Sequence, residues 1–523
     1  MKLEKILHHF KTKKFFYILA FYFIFTSNGF STSSNLSLTL LPNEILTRIF
    51  KFIEIKGAND RHDLCLVSKK FWFLYNNTIL NLEHPRAIYL KNPKKLQELI
   101  EIQYKIIQYE IKDSSTIPCA TLSSRLKYTA FRLEGETFTN SDIKSLIENF
   151  PKIKILNFQE TKLPSSASLK KLTELSLLTE LFLQTCTNFN NPSLLKEIPQ
   201  LKKLKIDYTQ LPENFSFPED SQLETLIICN SNLSNLPPFE NFKKLKYLKI
   251  IKCRESNSNF SLPTQLKSFV FKNSGSLPSN FSFKDNNQLE KLKILLYKTE
   301  PEPFLNLNSL KNLKFLSLVE CSSFNNFECF FSMSQLKTLI IKDTPLPPEP
   351  DFIANLVHLE NLQISNANIL KIPSLELLEN LKYLLIERCI EIKDFSFLKS
   401  TPKIESLIIE IWRADQNSYL ASLKNLKNLK IIDGFGRFDL SIFLKKENFE
   451  KLEKFELMDS KLESFDPLKE MKKIKILHFS NCVHLTNLSF LNDLEKIQKI
   501  TLSQCEEADL STTTKASIIE EIN

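Results

Sequence analysis

The chain has 523 residues, of which 42% are hydrophobic and 25% are charged. These proportions are ordinary for folded globular proteins and exclude a chain that is disordered throughout. The formal net charge is +9, but no run of like charges stands out, so the sequence predicts no nucleic-acid partner.

The N-terminal segment 1–30 has the three-part layout of a secretory signal peptide. A basic stretch precedes the apolar run FFYILAFYFIF at 15–25, and Ser27 and Gly29 offer a small-residue cleavage site. The run is shorter than the roughly 20 residues of a membrane-spanning helix, so no stable membrane span is expected. The pattern predicts export by way of a signal peptide; an uncleaved hydrophobic anchor and a cytoplasmic protein are the alternatives.

Residues 38–78 are predicted to form a helical module. Leu41-Pro42 opens a helix, because proline suits the first helical position, and Ile45, Leu46 and Ile49 recur at helical spacing. A turn at 57–60 leads to a second apolar segment, LCLVSKKFW at 64–72. The plain interpretation is a helical cap, with 79–127 as a helical linker and N-terminal cap for the adjoining domain.

A leucine-rich pattern fills residues 128–510. Leu or Ile recurs at i, i+3 and i+5 from Ile153 to Ile497, at intervals from 21 residues (245 to 266) to 26 residues (426 to 452). This is the leucine-rich-repeat period, and an earlier copy begins at Tyr128. A single repeat cannot bury enough apolar surface to fold alone. The pattern therefore predicts an α/β fold: a curved leucine-rich-repeat solenoid of about 16–17 repeats, with a parallel concave sheet, 3₁₀ or extended return segments, and a C-terminal tail at 511–523.

Six of the ten cysteines fall at the turn that follows each predicted strand: Cys186, Cys253, Cys321, Cys389, Cys482 and Cys505. We interpret them as structural. Cys482 and Cys505, on adjacent turns, are the one pair that could form a disulfide. The sequence has no CxxC pair, no phosphate-binding loop and no nucleophile motif. It therefore predicts no metal, no cofactor and no enzymatic activity.

The order from Leu41-Pro42 to Val67, Ser68 and Phe71, followed by leucine-rich repeats, resembles the F-box/leucine-rich-repeat proteins. These are substrate receptors of SCF-type ubiquitin ligases. The resemblance implies that the F-box-like module contacts a Skp-type adaptor, which binds a cullin ligase scaffold. The implied adaptor-binding residues are Leu41, Pro42, Ile45, Leu46 and Ile49. Joined to a signal peptide, the resemblance implies an effector that a microbe exports into the cytoplasm of a host cell.

The predicted target-binding surface is the concave face of the solenoid. Its candidate residues are Tyr247, Lys249, Val270, Phe315, Ile340, Tyr383 and Leu385. The three aromatic residues occupy the same strand position in repeats three apart, and exposed apolar groups of this kind mark protein interfaces. The alternatives are an unused face and a secreted or surface leucine-rich-repeat binding module whose N-terminal helices only cap the solenoid. The role of the irregular segment 412–448 stays open.

Overall fold

The computed structural model describes residues 87–90, 130–134, 140–160, 170–187, 194–209, 220–231, 239, 242–253, 262–272, 283, 286–296, 305–392, 394–401, 403–410, 419–420, 422–434, 436–444 and 449–522. The chain divides into two compact units, Met1–Phe189 and Asn190–Asn523. The predicted signal peptide 1–30 and F-box-like module 38–78, with Leu41, Pro42, Ile45, Leu46 and Ile49, lie outside the described residues.

The described part of the first unit holds four parallel strands: β1 (Ala87–Leu90), β2 (Ala130–Glu134), β3 (Ile155–Gln159) and β4 (Glu180–Gln184). Each pairs with the next in sequence order. One helix, α1 (Asn140–Asn149), lies between β2 and β3, and a 3₁₀ helix (Lys170–Glu174) lies between β3 and β4. The copy expected from Tyr128 corresponds to β2. The helical linker predicted for 79–127 is wrong at β1, where the apolar residues pair with β2.

Within the described residues, the second unit contains fifteen parallel strands. Its strands are β5 (Lys203–Asp207), β6 (Thr225–Cys229), β7 (Tyr247–Ile251), β8 (Ser268–Lys272), β9 (Lys291–Leu295), β10 (Phe315–Val319), β11 (Thr338–Lys342), β12 (Asn361–Ser365), β13 (Tyr383–Glu387), β14 (Ser406–Glu410), β15 (Asn428–Ile432), β16 (Lys454–Met458), β17 (Ile476–Ser480), β18 (Lys499–Ser503) and β19 (Ile519–Ile522). Within this unit, consecutive strands from β5 to β19 pair in parallel.

Alternation of side chains along the strands decides which face is buried. In β10 the second and fourth residues, Leu316 and Leu318, are both 0% exposed, and they pair in register with Leu339 and Ile341 of β11. Removing a leucine side chain from water contributes about 1.5–3 kcal/mol. Each repeat buries its leucines against those of its neighbours, so the stack as a whole forms the core.

After most strands the chain turns through a residue in the left-handed region. Twelve non-glycine residues have φ between 47° and 56°, among them Glu320, Asn366 and Gln504. The amide N–H of this residue donates to the last strand carbonyl of the next repeat, as from Glu320 to Lys342 at 2.9 Å. The strand ladder therefore extends into the turn.

The six predicted turn cysteines lie one residue beyond the left-handed position, and all of them except Cys505 are buried. The Cys321 thiol, 0% exposed, donates to the Val319 carbonyl at 3.5 Å, and that of Cys389 donates to the Glu387 carbonyl at 3.4 Å. Burial raises the pKa of Cys389 to about 11, which keeps the thiol protonated as a donor. Cys482 and Cys505 are both free thiols. The structural role predicted for the turn cysteines agrees with these contacts.

Short 3₁₀ helices on the return side replace longer helices in many repeats, as the repeat length predicts. They include Phe327–Ser332, Asp351–Asn355, Ser396–Ser400, Leu440–Leu444, Asp466–Glu470 and Ser489–Asp493. At the start of several of these helices, a side chain accepts a hydrogen bond from the backbone amide two residues further on. Asp394, for example, accepts from the Ser396 amide at 2.8 Å. Phenylalanines stack between neighbouring return segments, with the Phe330 and Phe352 rings 4.2 Å apart.

The repeats extend further than the leucine pattern predicts. The segment 511–523, predicted as a tail, contributes β19, whose Ile519 and Ile522 pair in register with Ile500 and Ser503 of β18. The strand lacks the full leucine pattern of the other repeats, which is why the pattern ends before it. No helix within the described ranges is both long and apolar enough to cross a bilayer.

The register predicts that substitution of an interior leucine destabilises the protein far more than substitution of a surface lysine. Leu316→Asp places a charge at a site that is 0% exposed, and an unpaired buried charge costs several kcal/mol. Lys311→Glu changes an exposed residue and should alter the free energy of unfolding by less than about 0.5 kcal/mol. Thermal unfolding followed by circular dichroism measures both, and equal melting temperatures would contradict the register.

Candidate protein-binding face

The first, third and fifth residues of the second-unit strands lie opposite the buried leucines. Most of them are half-buried or exposed, as the burial patterns of β5, β7, β9 and β13 show. We call this surface, from β5 to β18, the open face. A parallel sheet usually has both faces covered, so a broad uncovered face on such a sheet is available to a partner.

All seven predicted target-binding residues lie on the open face. Tyr247, Phe315 and Tyr383 are the first residues of β7, β10 and β13. At a strand spacing of about 4.8 Å, they stand roughly 14 Å apart along one row. The other four are third residues of their strands: Lys249, Val270, Ile340 and Leu385. Their use in target binding stays a prediction.

The three aromatic residues have different surroundings. Tyr247 is 49% exposed and presents its ring to solvent. Phe315 carries Lys291 over its ring, with Nζ 4.9 Å from the centroid, a cation–π distance. Burial raises the pKa of Tyr383, and the carboxylates of Glu456 and Glu387 raise it further. Tyr383 therefore stays a neutral hydroxyl that can donate to a partner.

Positive charge gathers at β7 to β9 on the open face. Lys249, Lys272, Lys291 and Lys293 lie on these three strands, and Lys293 is the register partner of Val270. Burial lowers the pKa of Lys293, and the neighbouring charges of Lys272, Lys291 and Lys249 lower it further. Their mutual repulsion makes this part of the face suited to an anion.

Negative charge gathers further along, at β13 to β16. Burial raises the pKa of Glu410, although the Arg388 amide donates to it at 2.6 Å. Glu456 lies 3.6 Å from His478 Nδ1 and receives Lys454 Nζ at 2.5 Å. The face thus carries opposite charge in two separate regions.

A second row of charges runs along the edge of the sheet, at the residue that precedes each strand. Glu and Lys meet there across adjacent repeats, as in Lys246–Glu224 at 2.8 Å and Lys337–Glu360 at 2.7 Å. The lysine lowers the pKa of the glutamate in each of these pairs. The leucine spacing did not predict this row of charges. The charged residues can nevertheless be identified in the sequence, because each lies one residue before a strand.

The irregular segment 412–448 contains a buried carboxylate. Asp433 is 0% exposed and accepts from the amides of Arg437 at 2.7 Å and Phe438 at 2.9 Å. Ser460 Oγ donates to it at 3.1 Å. Gly436, with φ of +61°, closes the turn by donating to the Asp433 carbonyl at 2.9 Å. At this point the departure from the repeat pattern is a structural turn.

Substitutions at Asp433 should distinguish the effect of its charge on stability from the effect of its hydrogen bonds. Burial raises its pKa above the unfolded value of about 3.9. The stability that the protonated group contributes is therefore present below that value and is lost as pH rises through the folded pKa. Asp433→Asn removes this loss, so its melting temperature relative to the parent should rise between pH 4 and pH 7.

Two further variants control for that result. Asp433→Ala leaves buried donors unpaired, at about 1–3 kcal/mol each, and should melt lower at every pH. Asp466→Asn makes the same change at an exposed residue and should melt in parallel with the parent. Parallel curves for Asp433→Asn and the parent would contradict the assignment.

The described residues contain no group of three or more His, Cys, Asp or Glu side chains that could hold a metal ion. The geometry defines the class of fold: parallel five-residue strands, a turn and a short return segment, repeated in sequence order, constitute a leucine-rich-repeat solenoid.

Comparisons with known proteins give structural likenesses alone. No family model matches the chain, and no curated protein matches it. Among solved structures, it is similar to the functional domain of InlJ from Listeria monocytogenes, which includes a cysteine ladder, with 18% identity, 68% of this chain and 70% of that chain covered, and a TM-score of 0.41. A leucine-rich-repeat protein of Leptospira interrogans has 16% identity, coverage of 74% and 100%, and a TM-score of 0.44. TLR13 in complex with ssRNA13 has 18% identity, coverage of 74% and 60%, and a TM-score of 0.43.

Proposed function

We propose that this protein is a non-catalytic receptor that holds a protein partner on the open face of its second unit. The observation that carries the proposal is the row of Tyr247, Phe315 and Tyr383, together with Val270 and Ile340, on a sheet face whose opposite side already forms the core. Aromatic and aliphatic groups beside charged ones are typical of the centre of a protein interface. Aromatic residues supply much of the binding energy in such interfaces.

Changing the aromatic row should remove the partner without unfolding the repeats. The triple variant Tyr247→Ser, Phe315→Ser and Tyr383→Ser deletes three candidate anchors, each worth about 2 kcal/mol or more if it is a hot spot. Proximity labelling in cells should then lose the partners that the parent labels.

The matched control removes exposed aromatic groups elsewhere. Tyr208 and Phe331 are 63% and 61% exposed and lie on a turn and a return segment. The variant Tyr208→Ser with Phe331→Ser should keep the partner list. An unchanged list for the triple variant would place the binding surface elsewhere in the chain.

The finer proposal is that the receptor works for a ubiquitin ligase. Its support is the F-box-like order of residues in 38–78, in which Leu41, Pro42, Ile45, Leu46 and Ile49 would contact a Skp-type adaptor and, through it, a cullin scaffold. The signal-peptide-like segment adds the proposal that the protein is exported and acts in a host cytoplasm. The competing function is a secreted or surface binding protein whose N-terminal helices only cap the repeats.

Adaptor docking and partner capture should be separable by mutation. Leu41→Ala with Pro42→Ala should abolish co-purification with a Skp-type adaptor, because it removes the apolar contacts that the resemblance assigns to docking. Proximity labelling of the open-face partner should persist. Leu177→Ala with Leu377→Ala, at residues 43% and 63% exposed, is the control. Absence of adaptor from the parent protein would favour the competing function.

A further inference from the structure

Lysine and aliphatic side chains alternate along one row of the open face. The third residues of β5 to β9 are register partners from strand to strand. In order they are Lys205, Ile227, Lys249, Val270 and Lys293. Lysines therefore stand on every second strand, about 9–10 Å apart, with one aliphatic side chain between each pair. We call these five residues the alternating row.

The lysines of this row differ from those at the sheet edge in their partners. At the edge, Lys246 and Lys314 lie 2.8 and 2.9 Å from glutamates. In the alternating row, Lys205 lies 3.0 Å from Asp207. Across the described ranges, no ion pair includes Lys249 or Lys293. The charges that act on Lys293 are those of Lys272, Lys291 and Lys249, all of them positive. A carboxylate from a partner would supply the missing opposite charge.

A buried hydroxyl lies at the end of the alternating row. Ser317 is the register partner of Lys293 on β10. It is 1% exposed, and its Oγ has no hydrogen-bond partner among the described residues. A buried donor without an acceptor costs about 1–3 kcal/mol. The Ser317 hydroxyl is therefore a buried donor at the end of the alternating row that no described residue satisfies.

We propose that the alternating row binds an acidic segment of a partner protein in which carboxylate and aliphatic side chains are interleaved. The inference rests on the proposed use of the open face for protein binding and adds the chemistry of the partner. Carboxylates meet Lys249 and Lys293, and aliphatic groups meet Ile227 and Val270. Desolvation by these aliphatic contacts strengthens the attraction between the charges.

Two features favour an acidic protein segment over a nucleic acid. Single-stranded nucleic acids are held by bases stacked on aromatic rings along a continuous basic groove, whereas the alternating row contains aliphatic groups between its lysines. Glu387, Glu410 and Glu456 lie on the same face at β13 to β16. They would repel a long polyanion, whereas a protein with one acidic segment can avoid them.

The test measures binding of a defined probe to the full-length protein by fluorescence anisotropy. The probe is a labelled peptide of alternating glutamate and leucine; polyglutamate and single-stranded RNA of the same charge are the comparison probes. We expect Lys249→Glu with Lys293→Glu to weaken binding of the alternating peptide about tenfold or more. Lys311→Glu with Lys424→Glu, which changes the net charge equally at exposed residues away from the strands, should leave it unchanged.

Two results of the binding measurement would overturn the proposal. Equal binding by the two double variants would show that Lys249 and Lys293 do not contribute to peptide binding. Binding of polyglutamate or RNA as tight as that of the alternating peptide would show that charge alone is recognised. If the double reversal does not fold, as judged by circular dichroism, Lys249→Gln with Lys293→Gln should show a smaller loss with the same probe preference. Normal peptide binding by the lysine variant, with partners lost by the aromatic triple variant, would reject the acidic segment and leave the receptor function standing.

Discussion

In-register stacking of parallel strands is the interaction on which the rest of the structure depends. A single repeat orders about two dozen residues at a cost of roughly 1–2 kcal/mol each, which exceeds the gain from burying its few leucines. The deficit is removed only when Leu316 and its equivalents meet the same positions of the neighbouring strands. Because the side-chain period is two, the same register also decides which residues remain on the open face.

The fold could be predicted largely from the sequence because its signal repeats. The leucine spacing identifies the strands, their inward residues and the turn cysteines, and all seven candidate target residues lie on the open face as the spacing requires. Two segments were harder to predict. β1 and β19 carry weak versions of the pattern, and they become strands because β2 and β18 offer them a pairing edge. A pattern within one segment does not reveal an edge that another segment supplies.

The candidate site could be predicted only in part, because its electrostatics arise between strands. Lys249 and Lys293 are 44 residues apart in the sequence, 249 to 293, yet lie two strands apart on the face. Their shared environment, and the pairing of Lys246 with Glu224 at the edge, appear only when successive repeats are compared position by position. The buried Asp433 is similar, since its partner Ser460 belongs to the next repeat.

The left-handed turn residues have a consequence for the energy of the whole array. Left-handed geometry costs a residue with a side chain roughly 1 kcal/mol relative to glycine, and twelve such residues recur in the described repeats, in a chain with only 6 glycines. Each of these twelve repeats carries the cost once, and in most of them the hydrogen bond to the next strand offsets it. Glycine at such a turn would relax the backbone but would also add conformational freedom to the unfolded chain, so the array can repeat this turn with residues that carry side chains.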